Sequence, residues 1–86
     1  MNIFEILADP SRRRVLNLLR EGDRSAGELG QALSISQPGV SKHLRILREA
    51  GLVSVRAEAQ RRVYRLRPAA LAEVDDWLEP YRPLLG

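Results

Sequence analysis

Ser36-Gln37-Pro38-Gly39-Val40-Ser41-Lys42-His43-Leu44-Arg45-Ile46-Leu47-Arg48-Glu49-Ala50-Gly51-Leu52 carries the signals for a short helix and for both of its ends. Ser36 is a good N-cap, and Pro38 is tolerated in a first turn whose N–H groups lack intrahelical partners. Ile35 before the cap and Val40 at the fourth helical position have the spacing of a hydrophobic staple. Val40, Leu44 and Leu47 recur at i, i+4 and i+7, the stripe that buries. Gly51 stands where a left-handed terminating residue belongs, and Leu52 is placed to pack back on Leu47 in a Schellman stop.

Upstream, Ser25 with Glu28 forms a capping box that opens a helix with Ala26, Leu29 and Leu33 on one face. A turn of about three residues around Ser34 joins the two helices, the spacing of a helix-turn-helix. Further out, Asp9-Pro10 starts a helix striped by Val15, Leu16, Leu18 and Leu19 and stopped by Gly22. Asn2 and Glu5 box a short first helix carrying Ile3, Phe4, Ile6 and Leu7. Downstream the period becomes alternating. Leu52–Arg56 and Arg62–Leu66 read as strands, with a loose loop near Glu58-Ala59-Gln60 because no Gly, Asn or Asp is present for a tight turn. Pro68 opens a last helix bearing Leu71, Val74, Trp77, Leu78 and Tyr81, with Pro80 and Pro83 against its final turns. The order is α-α-α-α-β-β-α: mostly α with a small β-hairpin, a winged helix-turn-helix expected to occupy residues 1–86 as one domain.

The polar arc of the central helix carries Gln37, Ser41, Lys42, Arg45 and Arg48, with no acid before Glu49. A major groove admits one helix, and amide, hydroxyl and cationic side chains of this kind read its base edges. Gln37, Ser41 and Lys42 are the expected base-facing residues. Arg45 and Arg48, with Ser36 and the free N–H groups at the helix start, are placed for phosphates. On the hairpin, taken as a wing over about 53–66, Gln60, Arg61 and Arg62 suit minor-groove or backbone contact. Charged edge strands also resist aggregation, so a purely protective role fits them equally. His43 borders the apolar arc, where a packed structural histidine and a phosphate contact are the alternatives. Arg12-Arg13-Arg14 offers a further, less direct backbone contact.

The chain has 86 residues, 44% of them hydrophobic and 29% charged, which is ordinary globular composition. There is no cysteine and one histidine, which removes disulfides, thiolate metal sites and multi-histidine sites, and leaves no nucleophile–base pair for an enzyme. No cofactor is expected. No apolar run approaches the ~20 residues of a membrane span, and the start lacks a secretory pattern, so a cytoplasmic protein without membrane contact is expected. The net +3 is unevenly spread. Residues 1–34 balance; residues 35–67 hold eight cations against Glu49 and Glu58; residues 68–86 hold Arg82 against four acids. A basic central third is what a surface meeting a polyanion shows, although a merely solvated face gives the same count.

Leu7-Ala8-Asp9-Pro10-Ser11-Arg12-Arg13-Arg14, Ser36 to Leu44, Leu47-Arg48-Glu49-Ala50-Gly51-Leu52-Val53 and Arg61 to Leu66 together resemble the ArsR/SmtB family of bacterial transcriptional repressors, over roughly residues 3–82. The resemblance implies a homodimeric winged-helix repressor whose first and last helices form the dimer interface and whose recognition helices, here about 36–50, enter successive major grooves. It departs from the family's metal sensors: Glu28 to Leu33 contains no Cys-x-Cys, and Asp75, Asp76 and Glu79 have no histidine beside them. The likeness is therefore to a metal-independent branch. The wing also lacks a tip glycine, and the last helix ends early.

Dimerisation has a physical reason as well. Ile3, Phe4 and Leu7 at one end, with Leu71, Val74, Trp77, Leu78 and Tyr81 at the other, are more apolar surface than so small a body readily covers, unless the terminal helices simply fold onto it. The expected function is a sequence-specific DNA-binding regulator on a pseudo-palindromic operator, with roughly 6–10 phosphates neutralised per dimer. A winged-helix protein-interaction module without sequence-specific DNA binding is the alternative. The residues name no small-molecule effector.

Overall fold

The computed structural model describes residues 1–86. Helix α1 (Ile3–Ala8) begins with the reciprocal box read from the sequence: Glu5 N–H donates to Asn2 Oδ1 at 2.9 Å, and Asn2 N–H donates to Glu5 Oε1 at 3.3 Å. Asp9 caps α2 (Pro10–Glu21), its carboxylate accepting from the N–H groups of Ser11 at 2.8 Å and Arg12 at 3.3 Å. The Arg12 side chain is buried and donates from Nε to the Ile6 carbonyl at 2.8 Å, near the C-terminus of α1, where the Asp9 N–H also donates to the same oxygen at 3.5 Å. Arg12 is thereby spent on the α1–α2 corner and is withdrawn from the set of backbone contacts.

Helix α3 (Ala26–Leu33) is boxed by Ser25 and Glu28 and closed by Ser34, which sits in the left-handed region at φ 55°. Helix α4 (Gln37–Glu49) starts at Ser36, whose Oγ accepts from Gly39 N–H at 3.3 Å. It ends in the full Schellman pair: Leu52 N–H to Leu47 O at 2.9 Å and Gly51 N–H to Arg48 O at 3.0 Å, with Gly51 at φ 76°.

The sheet corrects two expectations. It has three antiparallel strands in the order β1-β3-β2, where β1 is Arg24–Ser25, β2 is Val53–Glu58 and β3 is Arg61–Leu66. The extra strand β1 is two residues long, too short for any alternation to announce it; Arg24 pairs with Tyr64 and Ser25 with Val63. The hairpin turn is tight rather than loose. Glu58 pairs with Arg61, leaving only Ala59 and Gln60 in the turn, and Ala59 takes a positive φ of 56°. Pairing along both full strands imposes this geometry on a residue that does not favour it.

The C-terminal segment is also not one helix. A 3-10 turn (Pro68–Leu71) precedes α5 (Ala72–Leu78), then a second 3-10 turn (Glu79–Tyr81) and α6 (Arg82–Leu85). Pro80 and Pro83, which lack an N–H, each fall in the first positions of a new turn. No helix is long and apolar enough to cross a membrane.

The core fixes how α4 is presented. Val15, Leu29, Val40, Leu47 and Leu52 are wholly buried and Leu44 nearly so, joined by Ile3, Ile6 and Tyr64. Each such aliphatic side chain contributes about 1.5–3 kcal/mol by leaving water. The three inward residues of α4 therefore set its rotation about its own axis, and its polar side must face outward.

Candidate nucleic-acid interface

Gln37, Ser41, Lys42, Arg45 and Arg48 are all exposed on α4, opposite or flanking the buried stripe. Ser36 is exposed too, with its hydroxyl engaged in the cap. Gln37 leans on α3. A Cβ placed at Gly30 would fall 3.1 Å from Gln37 Nε2 and 3.3 Å from Val40 Cγ2, so the bare glycine lets the two helices cross closely and gives the amide a resting place. Gly30 was not singled out in the sequence, because nothing local distinguishes it from Gly27. His43 is half-buried, and its Nδ1 is enclosed without a hydrogen-bond partner.

The register of the hairpin separates its arginines. Ala57 pairs with Arg62 and Val55 with Tyr64 on the face turned toward α4; Arg56, Glu58, Arg61 and Arg65 lie on the other face. On that outer face Arg56, Arg61 and Arg65 are matched to acids, whereas Arg67, just past β3, has no carboxylate within 4.0 Å. Asp23 Oδ2 accepts from Arg56 Nη1 at 2.7 Å and from Arg65 Nε at 3.3 Å, and Glu58 Oε2 accepts from Arg56 Nη2 at 3.1 Å. Arg61 lies 3.6 Å from Glu28 and 3.7 Å from Glu58. The hydrogen bond from Arg56 holds the Asp23 carboxyl below its ordinary pKa, and the same bond raises Arg56. Glu28 is lowered by the Ser25 backbone N–H of its capping box. Burial pushes Asp9 up, but the N–H groups of Arg12 and Ser11 outweigh it and the net shift is downward.

Lys42, Arg45, Arg48 and Arg62 have no carboxylate within 4.0 Å. Ser41, Arg45, Arg48, Arg62 and Tyr64 line a cleft of about 290 Å³ between α4 and the inner face of the hairpin. Within the basic central third, the hairpin arginines of the outer face are paired with acids except for Arg67, while the cations on α4 and the inner face of the hairpin are uncompensated. Gln60 is exposed at the tip.

The terminal residues divide in the same way. Ile3 is covered by its own chain, within the core, and Leu7, Leu71 and Val74 are half-buried against that core. Leu78 is also half-buried. Phe4, Trp77 and Tyr81 stay 41%, 55% and 46% exposed and touch in series, Phe4 edge-on to Trp77 at 5.9 Å and Trp77 to Tyr81 at 5.1 Å between ring centroids. Arg82 reaches back to the Asp75 carboxylate beside them.

Known proteins share this layout. The profile described as "Bacterial regulatory protein, arsR family" matches residues 9–55. The transcriptional repressor SdpR of Bacillus subtilis is 36% identical over 77 residues, covering 90% of this chain and 86% of its own. The HTH-type transcriptional regulator Rv2034 of Mycobacterium tuberculosis is 44% identical over 85 residues, covering 96% and 79%. A crystal structure described as a possible transcriptional regulator for arsenical resistance superposes with a TM-score of 0.84 at 36% identity, covering 94% of this chain and 84% of that one. The chain belongs to the arsR family of bacterial regulatory proteins, DNA-binding regulators of transcription rather than enzymes.

Proposed function

We propose that the chain works as a homodimeric repressor, a single domain over residues 1–86 acting in the bacterial cytoplasm on an inverted-repeat operator. Each α4 lies in a major groove with Gln37, Ser41 and Lys42 toward base edges. Ser36, His43, Arg45 and Arg48 on α4, with Gln60, Arg61 and Arg62 on the wing, hold the backbone or adjacent groove. Arg61 joins them only by exchanging its carboxylate partners for phosphate. The exposed Phe4–Trp77–Tyr81 series, with Leu7, Leu71, Val74 and Leu78 beneath it, meets its copy across a two-fold axis; Ile3 supports it from within. One observation carries the reading: four cations without acid partners lie beside an exposed glutamine and serine on a helix whose rotation the core fixes. Repression is supported by the naming of relatives such as SdpR. A metal-independent mode is supported by the sequence alone, which has no cysteine and a single histidine to offer a softer metal.

Selection of duplexes from a random pool by the purified chain tests this reading. The expected product is an inverted repeat with half-site centres about 10–10.5 base pairs apart. Enrichment of no sequence over the pool overturns base reading, and enrichment of an isolated half-site overturns the symmetric dimer.

A further inference from the structure

The cleft between α4 and the wing deepens the DNA-binding reading and rests on it. Ser41, Arg45 and Arg48 stand at i, i+4 and i+7 on α4 and so share one side of the helix. The strand register turns Arg62 toward that side, while the neighbouring Arg56, Arg61 and Arg65 are turned away and tied to Asp23, Glu58 and Glu28. Three guanidiniums therefore border one cleft of about 290 Å³, without a carboxylate, between two elements that both face the nucleic acid. Asp23, Glu28 and Glu58 all pair with arginines on the opposite face of the hairpin, and Glu49 at the end of α4 is not among the residues lining the cleft. Like charges gathered in one concavity repel unless an anion sits among them. Guanidiniums also match phosphate oxygens with paired donors, and the Tyr64 hydroxyl on the hairpin side of the cleft can donate one more hydrogen bond. The cleft has room for a phosphodiester group with some of its water, each water needing about 30 Å³.

We infer that this cleft seats a single backbone phosphate per half-site, held jointly by Arg45, Arg48 and Arg62, and that this shared phosphate locks the wing against the recognition helix. Arg62 acts from the wing and Arg45 and Arg48 from α4, so one bound group fixes the angle between the two reading elements. Binding the same phosphate from two sides distinguishes this from three independent backbone contacts along the duplex.

The test pairs protein substitutions with DNA in which one phosphate at a time is replaced by an uncharged methylphosphonate. On a selected duplex, neutralising one phosphate per half-site is expected to weaken the unsubstituted chain about tenfold. Arg45→Ala, Arg48→Ala and Arg62→Ala should each weaken the all-phosphate duplex, and each should lose most of its sensitivity at that same phosphate. Inorganic phosphate titrated into the free chain should perturb the Tyr64 ring signals only at about millimolar levels or above, because the seat is completed by the flanking duplex. Saturation in the micromolar range would assign the cleft to a free anion and overturn the inference. Retained sequence-selective binding with the three variants pointing to different phosphates, or to none, overturns the shared seat alone. Absence of duplex binding by the unsubstituted chain removes both the seat and the reading beneath it.

Discussion

Gln37 projects from the first turn of α4 with its amide nitrogen resting above Gly30, so part of its conformational freedom is already lost before any base is met. A side chain held near its working position sacrifices less entropy on contact. Gln37→Ala should therefore cost about 1–3 kcal/mol on the selected duplex and nearly nothing on a duplex changed at the one base pair it reads. Arg62→Ala should weaken both duplexes alike and reduce the slope of log K against log salt by about one. Anisotropy titrations across a salt series on the two duplexes separate these outcomes, and equal losses for Gln37→Ala on both would refute the base contact. Ala59 gives a second expectation. Its φ of 56° burdens a residue with a Cβ, so Ala59→Gly should raise stability by roughly 0.5–1 kcal/mol in urea melts, after the greater freedom of glycine in the unfolded chain is subtracted. The caps at Asn2, Ser25 and Ser36 were legible in the sequence because each bond spans three residues of chain. Ala59 was not, since the turn geometry is dictated by strands pairing on either side rather than by the residues inside it. The burial of Arg12 was hidden for a similar reason: its acceptor, the Ile6 carbonyl, belongs to a helix terminus whose position no local pattern announces.

Helix α4 was legible as an element nearly to the residue, because an N-cap, an i, i+4, i+7 stripe and a glycine stop all lie within it. The hairpin was legible as two strands but not as a body held in a particular place. Burial of Val53, Val63 and Tyr64 and pairing of β1 with β3 hold it, and Asp23 adds bonds to Arg56 and Arg65, which lie 33 and 42 residues further along the chain. Such pairs follow from β1 docking on β3, and the two-residue β1 leaves no trace in a pattern of alternation. The hydrogen bond from Arg56 lowers the folded pKa of Asp23, so the sign of the linkage is fixed. A depressed carboxyl contributes stability that is fully present above its unfolded value, about 3.9, and is lost as pH falls through the lower folded value. Glu28 and Asp9 are shifted the same way and add to the loss. Thermal midpoints should therefore fall as pH drops below about 4. Asp23→Asn should melt below the unsubstituted chain at neutral pH, with the gap closing at acid pH as the native carboxyl takes up its proton. A gap that stays constant down to pH 2 would mean that charge on Asp23 plays no part. Because Asp23 lies on the hairpin face turned away from α4, the same variant should weaken DNA binding through wing placement while leaving the preferred sequence unchanged.

At the scale of the whole molecule, the radius of gyration is 13.9 Å, against about 12 Å for a compact chain of this length. The principal extents are 47 × 24 × 22 Å, so the body is elongated rather than round. Elongation leaves apolar surface that one copy does not cover: Phe4, Trp77 and Tyr81 in series, with Leu84 and Leu85 80% and 72% exposed beyond them. Contiguous exposed apolar surface of this kind marks an interaction site, and the proposed second copy, related by a two-fold axis, would bury the same residues twice. Trp77 is central to the series and more than half exposed, so a charge there should disturb association far more than folding. Trp77→Glu is expected to retain the fold and to sediment as a monomer at concentrations where the unsubstituted chain sediments as a dimer. Loss of the dimer removes the gain from engaging two half-sites at once, so affinity for the full inverted repeat should drop by on the order of 10²–10⁴-fold while affinity for an isolated half-site changes little. Sedimentation equilibrium and titrations on both duplexes decide the matter together. A Trp77→Glu chain that remains dimeric moves the interface away from the aromatic series, and a monomeric chain with undiminished affinity for the full repeat would mean that each copy binds its half-site alone.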